Sequence, residues 1–213
     1  MREKEPSTRI IYVRHGETDF PSRRIYCDDR EDPRLNDDGL SQAQDAGDLL
    51  RLHSVDAIYT SPRSRTRMTA DQICRFADIP NAIIEDEALS ERRFGIWEGL
   101  FFDEISQKYA DAYQLWKSDP VHYTPEGGET IDELMTRVSA AIQRIIETNF
   151  GKTIVVVSHV GPIRVALTSA LKIPVQWYRQ LRIDYGSLTR VDYGSSQNNL
   201  IYSNVIKSLN YYK

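Results

Sequence analysis

Thr153-Ile154-Val155-Val156-Val157 is the most strand-like run in the chain, and Ser158-His159-Val160-Gly161-Pro162 follows it directly. Unbroken β-branched residues suit a strand buried on both faces, the place of a central strand in a parallel sheet. Pro162 then suits the first turn of a helix, continuing through Ile163, Val165, Ala166, Leu167 and Leu171. His159 is therefore expected between a strand end and a helix start. Near the beginning of the chain the same arrangement recurs. Ile10-Ile11-Tyr12-Val13, in a strand over residues 9–13, ends in Arg14-His15-Gly16-Glu17. Ligands of open α/β sheets bind at the carboxyl ends of the strands. Arg14 and His15 delivered there together place a cation beside a nucleophile.

Between these two strands the pattern alternates. Residues 18–38 are polar and irregular; Arg23, Arg24 and Arg30 in them are open to an anionic ligand or to plain solvation. A helix is expected over residues 40–52, with Leu40, Ala43, Gly47 and Leu50 on one face. A strand follows over residues 55–59. Ser61-Pro62 reads as the cap and first position of a helix reaching about residue 77, with Met68, Ile73 and Phe76 inward. Its first turns hold Arg63, Arg65 and Arg67, although a helix start favours negative charge. That local inconsistency marks an anion site, with at least one of the three left on the surface.

A third apolar segment spans residues 82–84. Residues 89–99 read as a loop, with Glu91 just past a strand end. One helix is expected over residues 101–118, striped with Phe101, Phe102, Tyr109, Tyr113 and Trp116. Thr130-Ile131-Asp132-Glu133 is a capping box, and its helix runs to Asn149, where Gly151 suits the stop. Residues 187–191 and 200–206 form an edge hairpin around residues 194–198.

The bulk properties narrow the classes. A chain of 213 residues, 40% hydrophobic and 27% charged, suits one domain with a proper core. A net charge of −4 gives no global basic footprint for nucleic acid. No apolar run is long enough to span a membrane, and the polar start offers no secretory segment. Cys27 and Cys74 stand far apart, which suggests no disulfide framework and a reducing cytoplasm as the setting. The four histidines, His15, His53, His122 and His159, lack zinc-ligand spacing, so no metal is expected.

Strand ends and a helix start thus present Arg14, His15, Arg65, Glu91 and His159. Phosphoryl transfer asks for such a set. Arginine binds a phosphate dianion with two parallel donors, a nucleophile must lie in line with the leaving oxygen, and that oxygen needs a proton from a placed acid.

With these residues assembled, the chain resembles the histidine phosphatase superfamily, also called phosphoglycerate mutase-like. The resemblance rests on Arg14-His15-Gly16-Glu17-Thr18; Asp32-Pro33-Arg34-Leu35 with Gly39 and Gln42-Ala43; and Ser61-Pro62 with Arg65 and Thr69-Ala70. It rests further on Glu91 with Phe94-Gly95 and Trp97-Glu98-Gly99; on Gly127-Gly128-Glu129; and on Ser158-His159 with Gly161 and Arg164.

It implies an α/β three-layer sandwich with a mostly parallel central sheet, helices on both faces, and a small helical cap over the strand carboxyl ends. Residues 1–213 would form one domain with the cap inserted at about 94–128. The implied activity is a metal-independent phosphatase without a cofactor, acting on a small phosphorylated metabolite; a homodimer is the implied assembly. His15 would be the nucleophile and Glu91 the acid, with Arg14, Arg65 and His159 around the phosphate. Thr18, Arg23, Arg92 and Val160 would add substrate contacts. Glu17 would orient the cluster or serve structure, and Arg164 would pair structurally or touch substrate. Two positions depart from the family's pattern. Pro21 stands where an asparagine is often found, and Val160 replaces a glycine, with strain if that residue needs a positive φ. Three other activities stay open: a mutase, a sugar bisphosphate phosphatase, and a non-catalytic phosphate-binding protein. The short insertion and the segment Glu91-Arg92-Arg93-Phe94-Gly95 favour hydrolysis over mutation.

Overall fold

The computed structural model describes residues 7–21, 23–26, 30–79 and 83–207; Cys27 and Ala82 lie outside them. Its centre is β4 (Thr153–Ser158), buried at every position. On one side β4 pairs in parallel with β1 (Thr8–Arg14), on the other with β2 (Ala57–Thr60), which pairs in parallel with β3 (Ile83–Glu85). Beyond β1 the sheet turns antiparallel through β5 (Leu188–Tyr193) and β6 (Asn198–Val205), giving the order β3-β2-β4-β1-β5-β6. The fold is α/β with a mostly parallel sheet, and the expected terminal hairpin is its edge.

Side chains alternate across a strand, so the apolar runs of β1 and β4 feed two cores. Ile11, Val13, Val155 and Val157 pack under α1 (Asp37–Leu50) and α2 (Ser64–Ala77). Ile10, Tyr12, Ile154 and Val156 pack under α5 (Ile131–Thr148) and α6 (Val160–Leu171). A third apolar cluster stands apart from the sheet. It gathers Ile25, Trp97, Ile105 and Trp116 around α3 (Phe102–Lys108) and α4 (Ala110–Ser118). Trp97 is fully buried, with the ring of Trp116 edge-on at 5.8 Å and Tyr123 stacked at 5.9 Å. Trp116 and Phe94 share a cavity with Val160 and Gly161 at the start of α6, so this cluster lies at the carboxyl end of β4.

Several boundaries differ from expectation, each for a local reason. The helix expected over residues 101–118 is two helices, broken at Tyr109, whose φ of −130° leaves the helical region. Ser61 does not cap α2, which begins three residues later. Asp32, reaching in from the first loop, accepts the Ser64 N–H at 2.9 and 3.0 Å and the Ser64 hydroxyl at 2.7 Å instead. Helix α6 starts before Pro162, which sits within the first turn where its missing N–H has no intrahelical acceptor. Glu91 does not follow a strand end directly; a 3-10 turn over Glu87–Leu89 intervenes after β3. The capping box forms as expected, with Glu133 N–H donating to Thr130 Oγ1 at 3.1 Å and Thr130 N–H to Glu133 Oε2 at 2.8 Å. Among the described residues no helix is long and apolar enough to cross a membrane.

Candidate active site

Parallel pairing of β1 with β4 brings the two histidines together. Arg14 lies opposite Ser158, and the His15 N–H donates to Ser158 O at 3.0 Å. The chain leaves β1 through a close backbone crossing. A Cβ on Gly16 would lie 2.3 Å from Gly39 O, and one on Gly39 only 2.1 Å from Glu17 O. Only glycine fits at either position, and the start of α1 is thereby seated on the backbone that carries His15. Glu17 faces α1: its N–H donates to Gln42 Oε1 at 2.8 Å, and Gln42 Nε2 donates back to its carboxylate at 3.4 Å.

His15 is buried, and its Nδ1 lies 2.7 Å from Gly16 O. A carbonyl only accepts, so Nδ1 carries the proton and Nε2 keeps the lone pair. Burial, with the guanidinium groups of Arg65 and Arg14, pushes the ring well below its ordinary pKa. The His15 ring is thus held neutral. His159 is fully buried, its ring edge-on to His15 at 5.1 Å. Its Nε2 lies 2.8 Å from Ser61 Oγ, which explains why Ser61 is buried rather than capping. Its Nδ1 is buried without a partner among the described residues. Burial, then Arg65, His15 and Arg14, depress this ring as well.

Arg14 and Arg65 are both held by aromatic rings. Arg14 donates through Nη1 to Ile183 O at 2.8 Å and lies 3.7 Å over the ring of Tyr185. Its Nε is buried without a hydrogen-bond partner. Arg65 is fully buried, 4.2 Å over Tyr26 and 4.0 Å from Asp32. The other two arginines of that helix start are spent on surface pairs, Arg63 with Glu87 and Arg67 with Glu85.

Glu91 lies against the start of α6. Its Oε1 accepts from the Arg92 N–H at 2.8 Å and its Oε2 from the Gly161 N–H at 3.4 Å. A Cβ on Gly161 would be 2.2 Å from Oε1, so glycine makes the space for this carboxylate. The segment around Glu91 is fixed from α5. Arg137 donates to Ala88 O at 2.8 Å and Glu91 O at 3.1 Å, while gripping the buried Glu129 carboxylate at 2.5 and 2.9 Å.

The remaining expected residues divide. Thr18 is buried, with its hydroxyl 3.0 Å from that of Tyr26, the ring that Arg65 lies over. Arg92 is buried beside Glu91, donating to Glu129 O at 2.7 Å. Val160 opens α6 and is absent from the described non-glycine residues with positive φ, so the strain expected there does not arise. Pro21 begins a turn closed by the Arg24 N–H at 2.9 Å. Arg164 donates to Leu181 O at 2.8 Å, a structural contact. Arg23 is not brought to the cluster; it is exposed and paired with Asp103 at 2.6 Å, tying the first loop to α3. Tyr26, Tyr185 and Arg137 were not picked out from sequence. Among the described residues no group of three or more His, Cys, Asp or Glu is arranged to hold a metal ion.

Two histidines, the buried Arg65 with the half-buried Arg14, and a carboxylate at the carboxyl edge of a mostly parallel sheet define a phosphate-handling α/β protein. The chain matches the profile of the histidine phosphatase superfamily (branch 1) over residues 10–206 and belongs to that family. It is 35% identical over 187 residues to the bifunctional protein Rv2228c of Mycobacterium tuberculosis, covering 87% of this chain. The chain spans only about half, 50%, of that relative's length. With the adenosylcobalamin/alpha-ribazole phosphatase of Escherichia coli it shares 30% identity over 184 residues, 86% of this chain and 89% of the relative. The solved structure of Bacillus stearothermophilus YhfR superposes with a TM-score of 0.85 at 26% identity, over 93% of this chain and 98% of the other.

Proposed function

We propose that this chain hydrolyses small phosphomonoesters in two steps through a phosphohistidine on His15. The observation that carries the reading is the fixed tautomer of His15, with Nδ1–H bound to Gly16 O, in a ring held neutral between two guanidinium groups. In the first step the Nε2 lone pair attacks phosphorus, the ester P–O bond breaks, and Glu91 gives its proton to the leaving oxygen. In the second, water attacks the phosphohistidine, Glu91 takes the water proton, and the N–P bond breaks to release inorganic phosphate. Arg14, Arg65 and His159 stabilise the charge on the transferring group. The aromatic segment at about 94–128 acts as a cap on one domain and shapes the side of the pocket that holds the alcohol.

The test is chemical. Quenching during turnover of p-nitrophenyl phosphate yields an acid-labile, base-stable phosphoenzyme, and phosphate is released in step with alcohol without an isomerised ester. H15A abolishes both; full turnover by H15A excludes the mechanism.

A further inference from the structure

A cavity of about 610 Å³ lies at the opposite edge of the sheet from the phosphate site. Tyr193 lines it and pairs with Thr8, at the amino end of β1, whereas Arg14 closes the carboxyl end of that strand. About 20 Å of strand separates the two ends. The volume is that of a small-molecule site. The space comes from a mismatch between two helices. Ala166, Ser169 and Ala170 share one face of α6 and are too small to fill the gap to Ile142 and Ile146 of α5. Phe150, just beyond α5 and 64% exposed, adds an apolar lip.

One polar group in this wall is unmatched. The hydroxyls of Tyr12 and Tyr193 meet at 2.5 Å, and neither has a second hydrogen-bond partner among the described residues. Burial pushes both phenols above their ordinary pKa, Tyr193 up to about 12, so both keep their protons. Two protons thus stand against one shared bond. Were Tyr193 the donor, the Tyr12 proton would be left in the core, where that side chain is 1% exposed and a missing acceptor is costly. Tyr12 therefore donates to Tyr193, and the Tyr193 O–H is left for the cavity that this residue lines. Charge narrows what fits. Among the described residues Glu147 is the one charged side chain on the lining, with Gln143 Nε2 donating to it at 2.8 Å, so an anion is disfavoured.

We infer that the cavity between α5, α6 and the turn joining β5 to β6 binds a neutral, largely apolar small molecule through a carbonyl acceptor on the Tyr193 hydroxyl. The site is separate from the phosphate cluster, and the inference stands whether or not the chain hydrolyses phosphomonoesters.

Three naphthalenes test it. 2-Acetylnaphthalene, 2-ethylnaphthalene and 2-naphthoate share one ring system and differ in acceptor and charge. Each is held at micromolar concentration while the protein is titrated in, and the ring fluorescence is followed. The expected result is saturable binding of 2-acetylnaphthalene, with a dissociation constant at least fivefold below those of the other two. Y193F brings the acetyl and ethyl compounds to the same dissociation constant, because the ring stays and the donor goes. S169W, which fills the space from its rim, removes the binding of both. Ser169 is exposed, so S169W keeps the test valid should Y193F unfold. No saturable binding by the wild type, equal binding of the acetyl and ethyl compounds, or a preference for 2-naphthoate overturns the inference. So does an acetyl preference that survives in Y193F, or binding that S169W leaves unchanged.

Discussion

At His159 the protons can be counted. Thr66 Oγ1 lies 2.9 Å from Ser61 O and 2.8 Å from Arg63 O, so its one proton goes to a carbonyl. The Ser61–Thr66 hydroxyl contact at 2.7 Å then takes the Ser61 proton, and Ser61 Oγ accepts from His159 Nε2–H. His159 Nδ1 is left with a lone pair, buried and unmatched among the described residues. A phosphate oxygen is also an acceptor. A phosphate beside Nδ1 therefore requires a second proton on the ring, whose pKa in the free protein is held well below normal by burial and by Arg65. A dianion reverses the local field and makes that proton favourable. Binding of sulfate, which carries no proton near neutrality, is accordingly expected to take up about one proton per site at pH 7 in the wild type and close to none in H159Q. Calorimetry in two buffers of different ionisation enthalpy measures it; zero uptake by the wild type removes the donor role of His159.

At the scale of elements, the placement of Glu91 depends on α5 more than on its own loop. Arg137 spans from the Glu129 carboxylate to the carbonyls of Ala88 and Glu91, bracing the turn that presents the Glu91 side chain. R137L is expected to lower kcat on alkyl phosphates by about 10²-fold, the low end of what a general acid contributes. On p-nitrophenyl phosphate, whose leaving group needs no proton, the loss should stay within a few fold. Equal losses on both esters indicate that Arg137 serves the fold rather than the acid. No pattern in the sequence marks Arg137, since amphipathic spacing identifies the buried face of α5 but not which polar residue at its rim reaches across. The helix itself was legible, because its capping box and apolar period agree. The start of α2 was misread for the opposite reason. Ser-Pro is a local signal, while the cap comes from Asp32, distant in sequence. The break at Tyr109 carries no glycine or proline, and the aromatic spacing continues through it.

Across the whole molecule, the central sheet was legible because β1 and β4 are buried on both faces and read as unbroken apolar runs. His15 and His159 were legible because each ends such a run. The rings that hold the arginines, Tyr26 and Tyr185, lie in irregular segments where only the folded chain shows what they touch. Seating two neutral histidines in this core also ties stability to pH. Both rings have pKa values depressed by burial and by the neighbouring arginines, while the unfolded chain titrates them near 6.5. Below that pH the unfolded state binds protons that the native state refuses, so stability is full above about pH 6.5 and declines as pH falls from there. Each histidine contributes about 1 kcal/mol per pH unit in that window. His53, half-exposed and also depressed, acts in the same direction with less weight. Urea unfolding of the wild type is thus expected to lose about 2 kcal/mol between pH 6.5 and 5.5. The double variant His15→Asn, His159→Gln should lose much less over the same interval, because neither replacement titrates. If the double variant follows the wild-type profile, the acid sensitivity arises elsewhere and the two histidines are not held neutral in the native protein.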